Sequence, residues 1–128
     1  RYFAGCVDEN GVREEIRRTW AENHYLMDTH TAVASAVLRA YQAQTGDTRQ
    51  SVIVSTASPY KFGASVLGAV AGQKACDGLD DFACCRALAE LTGTSEPAQI
   101  LALQDLPIRH TAVCEKDKMA QAVLDAVK

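Results

Sequence analysis

A chain of 128 residues, 48% hydrophobic and carrying a formal net charge of -3, can bury roughly two thirds of the surface its unfolded form exposes, so a single domain over 1–128 is expected. Lys and Arg are interspersed with Asp and Glu and form no basic stripe, which argues against a nucleic-acid partner. No stretch nears the roughly 20 consecutive apolar residues of a membrane-spanning helix, and the first residues form neither a basic leader nor an apolar run. The chain reads as cytoplasmic, without a membrane partner.

The opening residues, Arg1-Tyr2-Phe3-Ala4-Gly5, resemble a short strand in mid-fold, so a piece of a longer protein is expected. Phe3 to Cys6 reads as extended. Asp8-Glu9-Asn10-Gly11 is a turn whose Asn10 can cap a helix beginning at Val12, with Glu14 and Glu15 in its first turn where the helix dipole favours them. Val12, Ile16 and Trp20 recur every four residues, while Arg13, Arg17 and Arg18 lie off that line as a solvated face. From His30, the stripe Val33, Val37, Tyr41 predicts a second helix ended by Gly46.

Ser51 to Thr56 is a continuous β-branched run, the pattern of a strand buried on both faces of a parallel sheet. Ala57-Ser58-Pro59 breaks it. Pro59 opens a third helix with Phe62, Val66, Leu67 and Val70 inward, stopped by Gly72. Asp80 to Leu91 is predicted helical with Phe82, Leu88 and Leu91 inward, ended by Gly93, and Pro97 to Leu103 is a further short helix. Arg109 to Cys114 reads as a short strand, and Lys118 to Val127 as a terminal helix carrying Met119, Val123 and Val127. The fold class expected from this order is α/β, with few short, mostly parallel strands flanked by helices.

Cysteine usage narrows the chemistry. Cys6, Cys76, Cys84, Cys85 and Cys114 are odd in number and contain no Cys-x-x-Cys pair, which disfavours a disulfide framework. Cys84 and Cys85 are adjacent, and helical neighbours point about 100 degrees apart, so no metal site is expected and buried reduced thiols are. Phosphate-loop, dinucleotide, zinc-protease and nucleophile-elbow motifs are all absent.

In open α/β sheets ligands collect where strands end and helices begin. Ser55-Thr56-Ala57-Ser58-Pro59-Tyr60-Lys61 is the one such segment, with hydroxyls and an amine for an anion or small ligand, unless the hydroxyls only cap the helix and Lys61 reaches to water. His30 lies at a helix start, where it either helps the cap or serves a site. His24 and His110 stand alone.

Two stretches together resemble the C-terminal region of threonine synthase. They are Asp28-Thr29-His30-Thr31-Ala32-Val33-Ala34, where the family usually reads Asp-Pro-His-Thr-Ala, and Ser55-Thr56-Ala57-Ser58-Pro59-Tyr60-Lys61-Phe62, where it usually reads Ser-Thr-Ala-His-Pro-Ala-Lys-Phe. The resemblance runs from about Phe3 onward. It implies part of a larger fold-type-II pyridoxal 5'-phosphate domain, in which the cofactor serves as electron sink while O-phospho-L-homoserine and water become L-threonine and phosphate.

Position by position, the resemblance matches Thr56 to the hydroxyl that partners the pyridine nitrogen, with Ser55 beside it, both cofactor-binding. A neutral hydroxyl there tempers the sink, because it holds no firm charge on the ring. Lys61 and His30 match substrate-binding positions. Thr29 replaces a usual proline, Ser58 a usual histidine and Tyr60 a small residue, which narrows the loop. The Schiff-base lysine and the phosphate-cradling glycine loop belong to upstream regions in this family, and none of Lys61, Lys74, Lys116, Lys118 or Lys128 lies in a matching motif. No catalytic residue is therefore expected here, and the piece alone is expected to be inactive, forming one wall of a site completed by the rest of the parent chain.

Two other readings compete. One is a fragment of another pyridoxal-phosphate β-family enzyme, such as a dehydratase or sulfhydrylase, which lacks the histidine-containing helix start and the Pro-x-Lys-Phe ending. The other is a free-standing small α/β binding or assembly module without catalysis. An exposed apolar flank would mark absent neighbours, and could drive dimers of the fragment.

Overall fold

Aspartates set the starts of the three main capped helices, as seen in the computed structural model, which describes residues 2–127. Arg1 and Lys128, named above, lie outside the described residues. Asp8 accepts a hydrogen bond from the Gly11 N–H at 2.8 Å, so helix α1 runs Glu9–Asn23. The cap is thus Asp8 rather than Asn10, and Glu9 rather than Glu14 occupies the first turn. Asp28 caps α2, Thr29–Thr45, which ends at Gly46 in a left-handed conformation, φ 69°. Only a residue without Cβ takes that geometry cheaply.

Pro59–Phe62 is a 3-10 turn leading into α3, Gly63–Ala71, and a second such turn, Gln73–Cys76, follows it. Asp80 accepts from the Ala83 N–H at 2.7 Å and opens α4, Asp81–Thr92. The short α5, Ala98–Leu101, continues into the 3-10 turn Ala102–Asp105, and α6, Met119–Ala126, comes last.

The α/β expectation is overturned. Among the described residues there is no strand and no sheet, and the molecule is helical with irregular connections. Ser51 to Thr56 has no regular structure, with Val52 88% and Val54 74% exposed and only Ile53 half-buried. Arg109 to Cys114 and Phe3 to Cys6 are likewise irregular. β-Branched residues bias the backbone toward extended angles, but a strand exists only when a neighbour completes its hydrogen-bond ladder. No second strand is present among the described residues to do so.

Packing runs from α2 to α1, from α1 to α3, and from α3 to α4. Ile16 of α1, Val66 and Leu67 of α3 and Leu88 of α4 form the centre of the core, joined by Met27, Ala32 and Tyr60. Leu91, expected inward, is 51% exposed. The inward positions of α4 are Leu88, as expected, together with the buried thiols Cys84 and Cys85. A Cβ built on Gly63 would sit 2.5 Å from the Cys85 sulfur, so glycine is what lets the start of α3 approach α4. From Ala102 onward every described side chain is exposed, including Ile108, Val113 and Val123.

A buried carboxylate fastens α1 to α2. Glu15, 3% exposed, accepts from the Ser35 hydroxyl at 2.6 Å and from the Arg39 guanidinium at 3.2 Å, both on α2, and pairs with Arg18 on its own helix. Arg18 is therefore a partner of the interior and not only part of a solvated face. Removing one member of such a cluster strands the others without their counter-charge.

Two outcomes follow for stability. Glu15→Ala should lower the free energy of unfolding by about 2 kcal/mol, since hydrogen bonds to a charged group are lost and two arginines are left unpaired, read as a lower urea midpoint. Gly63→Ala should cost about 1–3 kcal/mol by overpacking against Cys85. A midpoint equal to the parent's would show that the Cys85 side chain moves away freely.

Candidate functional site

Two loops meet at the start of α2. Asp28, with 0% exposure, uses Oδ1 to accept from the backbone N–H groups of His30 at 2.9 Å and Thr31 at 3.3 Å. Its Oδ2 accepts from the Thr31 hydroxyl. The Thr31 oxygen in turn lies 3.2 Å from the Ser55 hydroxyl. One unbroken chain of polar contacts thus runs from a buried carboxylate to the segment after residue 50.

Burial alone would raise the Asp28 carboxyl above the ordinary aspartate range. The Thr31 hydroxyl and the His30 and Thr31 N–H groups outweigh it, so the group is held below that range and stays ionised. The same carboxylate reaches the His30 ring, with Nδ1 3.4 Å from Oδ1. Thr29, where proline was the resembling residue, places its hydroxyl 3.4 Å from the same nitrogen.

Phe62 supports this corner from α3's side. The His30 ring stands 5.1 Å from the Phe62 ring at 53°, and the Lys61 ammonium lies 5.8 Å from the Phe62 centroid. A cation over an aromatic face is attracted by its quadrupole. Lys61 and His30 nevertheless open onto different hollows. His30 lines one of about 320 Å3 with Thr29, Arg13 and Ser65. Lys61 lines another of about 430 Å3 with Phe62, Asp81, Phe82 and Leu103.

Of the residues singled out from sequence, Ser55 is brought to the start of α2, and His30 and Lys61 share one aromatic platform. Thr56 is exposed and its hydroxyl makes no hydrogen bond among the described residues. Ser58 accepts from the Tyr60 N–H at 3.3 Å and caps the 3-10 turn. Tyr60 does not narrow the loop. It is 5% exposed within the core, its hydroxyl 2.5 Å from that of Thr94. Asp28, Thr31 and Phe62 were not singled out as site residues, although an aspartate just before an apolar helix stripe is a recognisable cap signal.

The cysteines are unpaired, and burial pushes the Cys84 and Cys85 thiols up, so they stay protonated and unreactive near neutral pH. Among the described residues no group of three or more His, Cys, Asp or Glu side chains gathers for a metal. No helix among them is long and apolar enough to cross a membrane.

The family model described as Threonine synthase, C-terminal, matches residues 31–127. The chain belongs to the threonine synthase family. The match takes in the whole of Ser55 to Phe62 and begins at Thr31, so Asp28, Thr29 and His30 lie just ahead of it. Threonine synthases are lyase-type enzymes of threonine biosynthesis and are in general pyridoxal-phosphate dependent. The donor set here fits a limited part of that cofactor. Ser55 and Thr56 offer neutral hydroxyls suited to ring polar atoms, whereas no glycine-rich segment among these residues offers a phosphate cradle.

Asp28 has a signed pH consequence. Its folded value is lowered, so its contribution to stability is fully present above the ordinary 3.8 and is lost as pH falls from there through the lowered value. Asp28→Ala should destabilise by about 2 kcal/mol at neutral pH through loss of the cap, and the gap to wild type should close as unfolding is measured at pH values below that range. A pH-independent gap would show that the carboxylate's charge is not what holds α2.

Proposed function

We propose that this chain forms one wall of the active site of a threonine synthase that converts O-phospho-L-homoserine and water into L-threonine and phosphate with pyridoxal 5'-phosphate. When bound, that cofactor supplies the electron sink for the reaction. Thr56 and Ser55 would hold its polar ring atoms, and Lys61 and His30 would bind the substrate from the two separate hollows they line. The observation that carries this reading is the 3.2 Å contact between Thr31 and Ser55, which unites the two motifs that resemble the family in one corner of the molecule.

The parts fit distinct tasks. Thr56 and Ser55 are uncharged, so they orient a ring without fixing a full charge on it. Lys61 and His30 can donate hydrogen bonds to an anionic group, and their contacts with the Phe62 ring limit the rotamers each must give up on binding. None of the lysines lies in a motif that resembles the family's Schiff-base lysine, so we assign the catalytic amine to the rest of a larger parent, with residues 1–128 as one domain of it. The exposure of Val52, Val54, Ile108 and Val113 supports such a parent over a free-standing module, since apolar surface of this extent calls for a covering partner. Isolated, the chain would be inactive and would tend to self-associate. We place the parent in the cytoplasm, where its small polar substrate and cofactor are soluble.

The decisive experiment is phosphate release from O-phosphohomoserine by the full-length parent and by Thr56→Val and Thr56→Ser variants. Loss of one hydrogen bond at constant shape should lower turnover by about tenfold for valine with unchanged thermal unfolding, and serine should recover most of it. Equal turnover in all three would remove Thr56 from the site, and no phosphate release by the wild type would remove the function.

A further inference from the structure

The hollow beside the start of α2 is lined by apolar Val12, Ile16 and Val33, and its Arg13 is already engaged by Glu9 at 2.8 Å and Asn10 at 3.0 Å. His30 lines the same hollow with its side chain 66% exposed. A neutral imidazole offers two nitrogens of opposite role, one N–H donor and one bare acceptor. The neighbours of Nδ1 decide which is which. They are Asp28 Oδ1 and the Thr29 hydroxyl, each 3.4 Å away. A hydroxyl accommodates either role, but an ionised carboxylate only accepts.

A bare Nδ1 would set its lone pair against a buried negative charge, whereas an Nδ1–H is attracted to it. The His30 side chain is accordingly among the hydrogen-bonding groups that hold the Asp28 carboxyl below its ordinary range. The Phe62 ring, 5.1 Å away at 53°, packs against the imidazole and limits its rotation. Nε2 has no hydrogen-bond partner among the described residues.

We infer that Asp28 is a positioning residue for His30, holding the ring proton on Nδ1 and leaving Nε2 as the atom that meets a molecule bound in the hollow. In the neutral ring Nε2 accepts from an N–H or O–H. With a second proton on the ring it donates to an anionic group, and Asp28 balances the charge. In both states the contact is made at Nε2. The inference deepens the functional reading above and rests on it where the bound molecule is taken to be the substrate. The tautomer rests on the geometry of Asp28 and His30 alone.

The test uses the full-length parent with 15N-labelled histidine rings, at about pH 8.5, where an unperturbed imidazole is neutral. The His30 signals are those missing from His30→Gln. Nδ1 should carry the shift of a protonated ring nitrogen and Nε2 that of a bare one. Asp28→Ser keeps a helix cap, because serine caps about as well as aspartate, and takes the carboxylate away from the ring. The His30 signals should then move toward the average of the two tautomers. The second readout is the KM for O-phosphohomoserine. A glutamine amide reaches about as far as Nε2, and an asparagine amide only as far as Nδ1. His30→Asn should therefore raise KM by about tenfold, the scale of one hydrogen bond, and His30→Gln should recover most of that loss. Asp28→Ser should raise KM in the wild-type background and add nothing to His30→Asn.

A bare Nδ1 in the wild type, or His30 signals that Asp28→Ser does not move, overturns the positioning role of Asp28. Equal KM values for the asparagine and glutamine variants overturn the contact at Nε2. A wild-type parent that releases no phosphate while Nδ1 carries the proton is a different result, which overturns the functional reading and leaves the tautomer in place.

Discussion

A carboxylate removed from water stays charged only if the protein replaces the lost hydration, and Asp28 obtains that replacement entirely from its own neighbourhood. Two backbone N–H groups and one hydroxyl converge on it, and the start of α2 points its positive end at the charge. Everything else in this corner inherits its place from that arrangement. The helix begins at Thr29 because Asp28 caps it, Thr31 is buried against that carboxylate, and the Thr31 hydroxyl meets Ser55 at 3.2 Å across a separation of 24 residues. A single ionised group thus fixes one helix, one loop and the junction between them.

Glu15 repeats the logic on the other side of α2. There the neutralising partners are guanidinium groups from both helices together with Ser35, so the charge is matched by charge rather than by amide dipoles. Glu15 is closed off by its arginines and serves packing of α1 on α2. Asp28 is balanced instead by amide dipoles and the Thr31 hydroxyl, with no Lys or Arg side chain within ion-pair distance among the described residues. Helix α2 is therefore secured at Ser35 and Arg39 and presents its first turn to the site.

Local signals in the sequence anticipated the helices, because caps, glycine stops and four-residue stripes are properties of neighbouring residues. Gly46 and Gly93 end α2 and α4 as expected, and Leu88, Val66 and Leu67 are inward as their spacing implied. The strands failed for the opposite reason. Ser51 to Thr56 has every local feature of a buried strand, but a sheet is a property of pairs of segments, and no composition of one segment can supply its partner. The Cys84 and Cys85 thiols are buried as their chemistry implied, with Gly63 on another helix leaving room for the Cys85 side chain, whereas the exposure of Leu91 depends on which neighbours reach α4 and is not a local property. At the site, His30, Ser55 and Lys61 could be picked out as polar groups at element boundaries. The link among them could not, because it runs through Asp28, Thr31 and Phe62, whose local roles as cap, helix residue and apolar stripe conceal it.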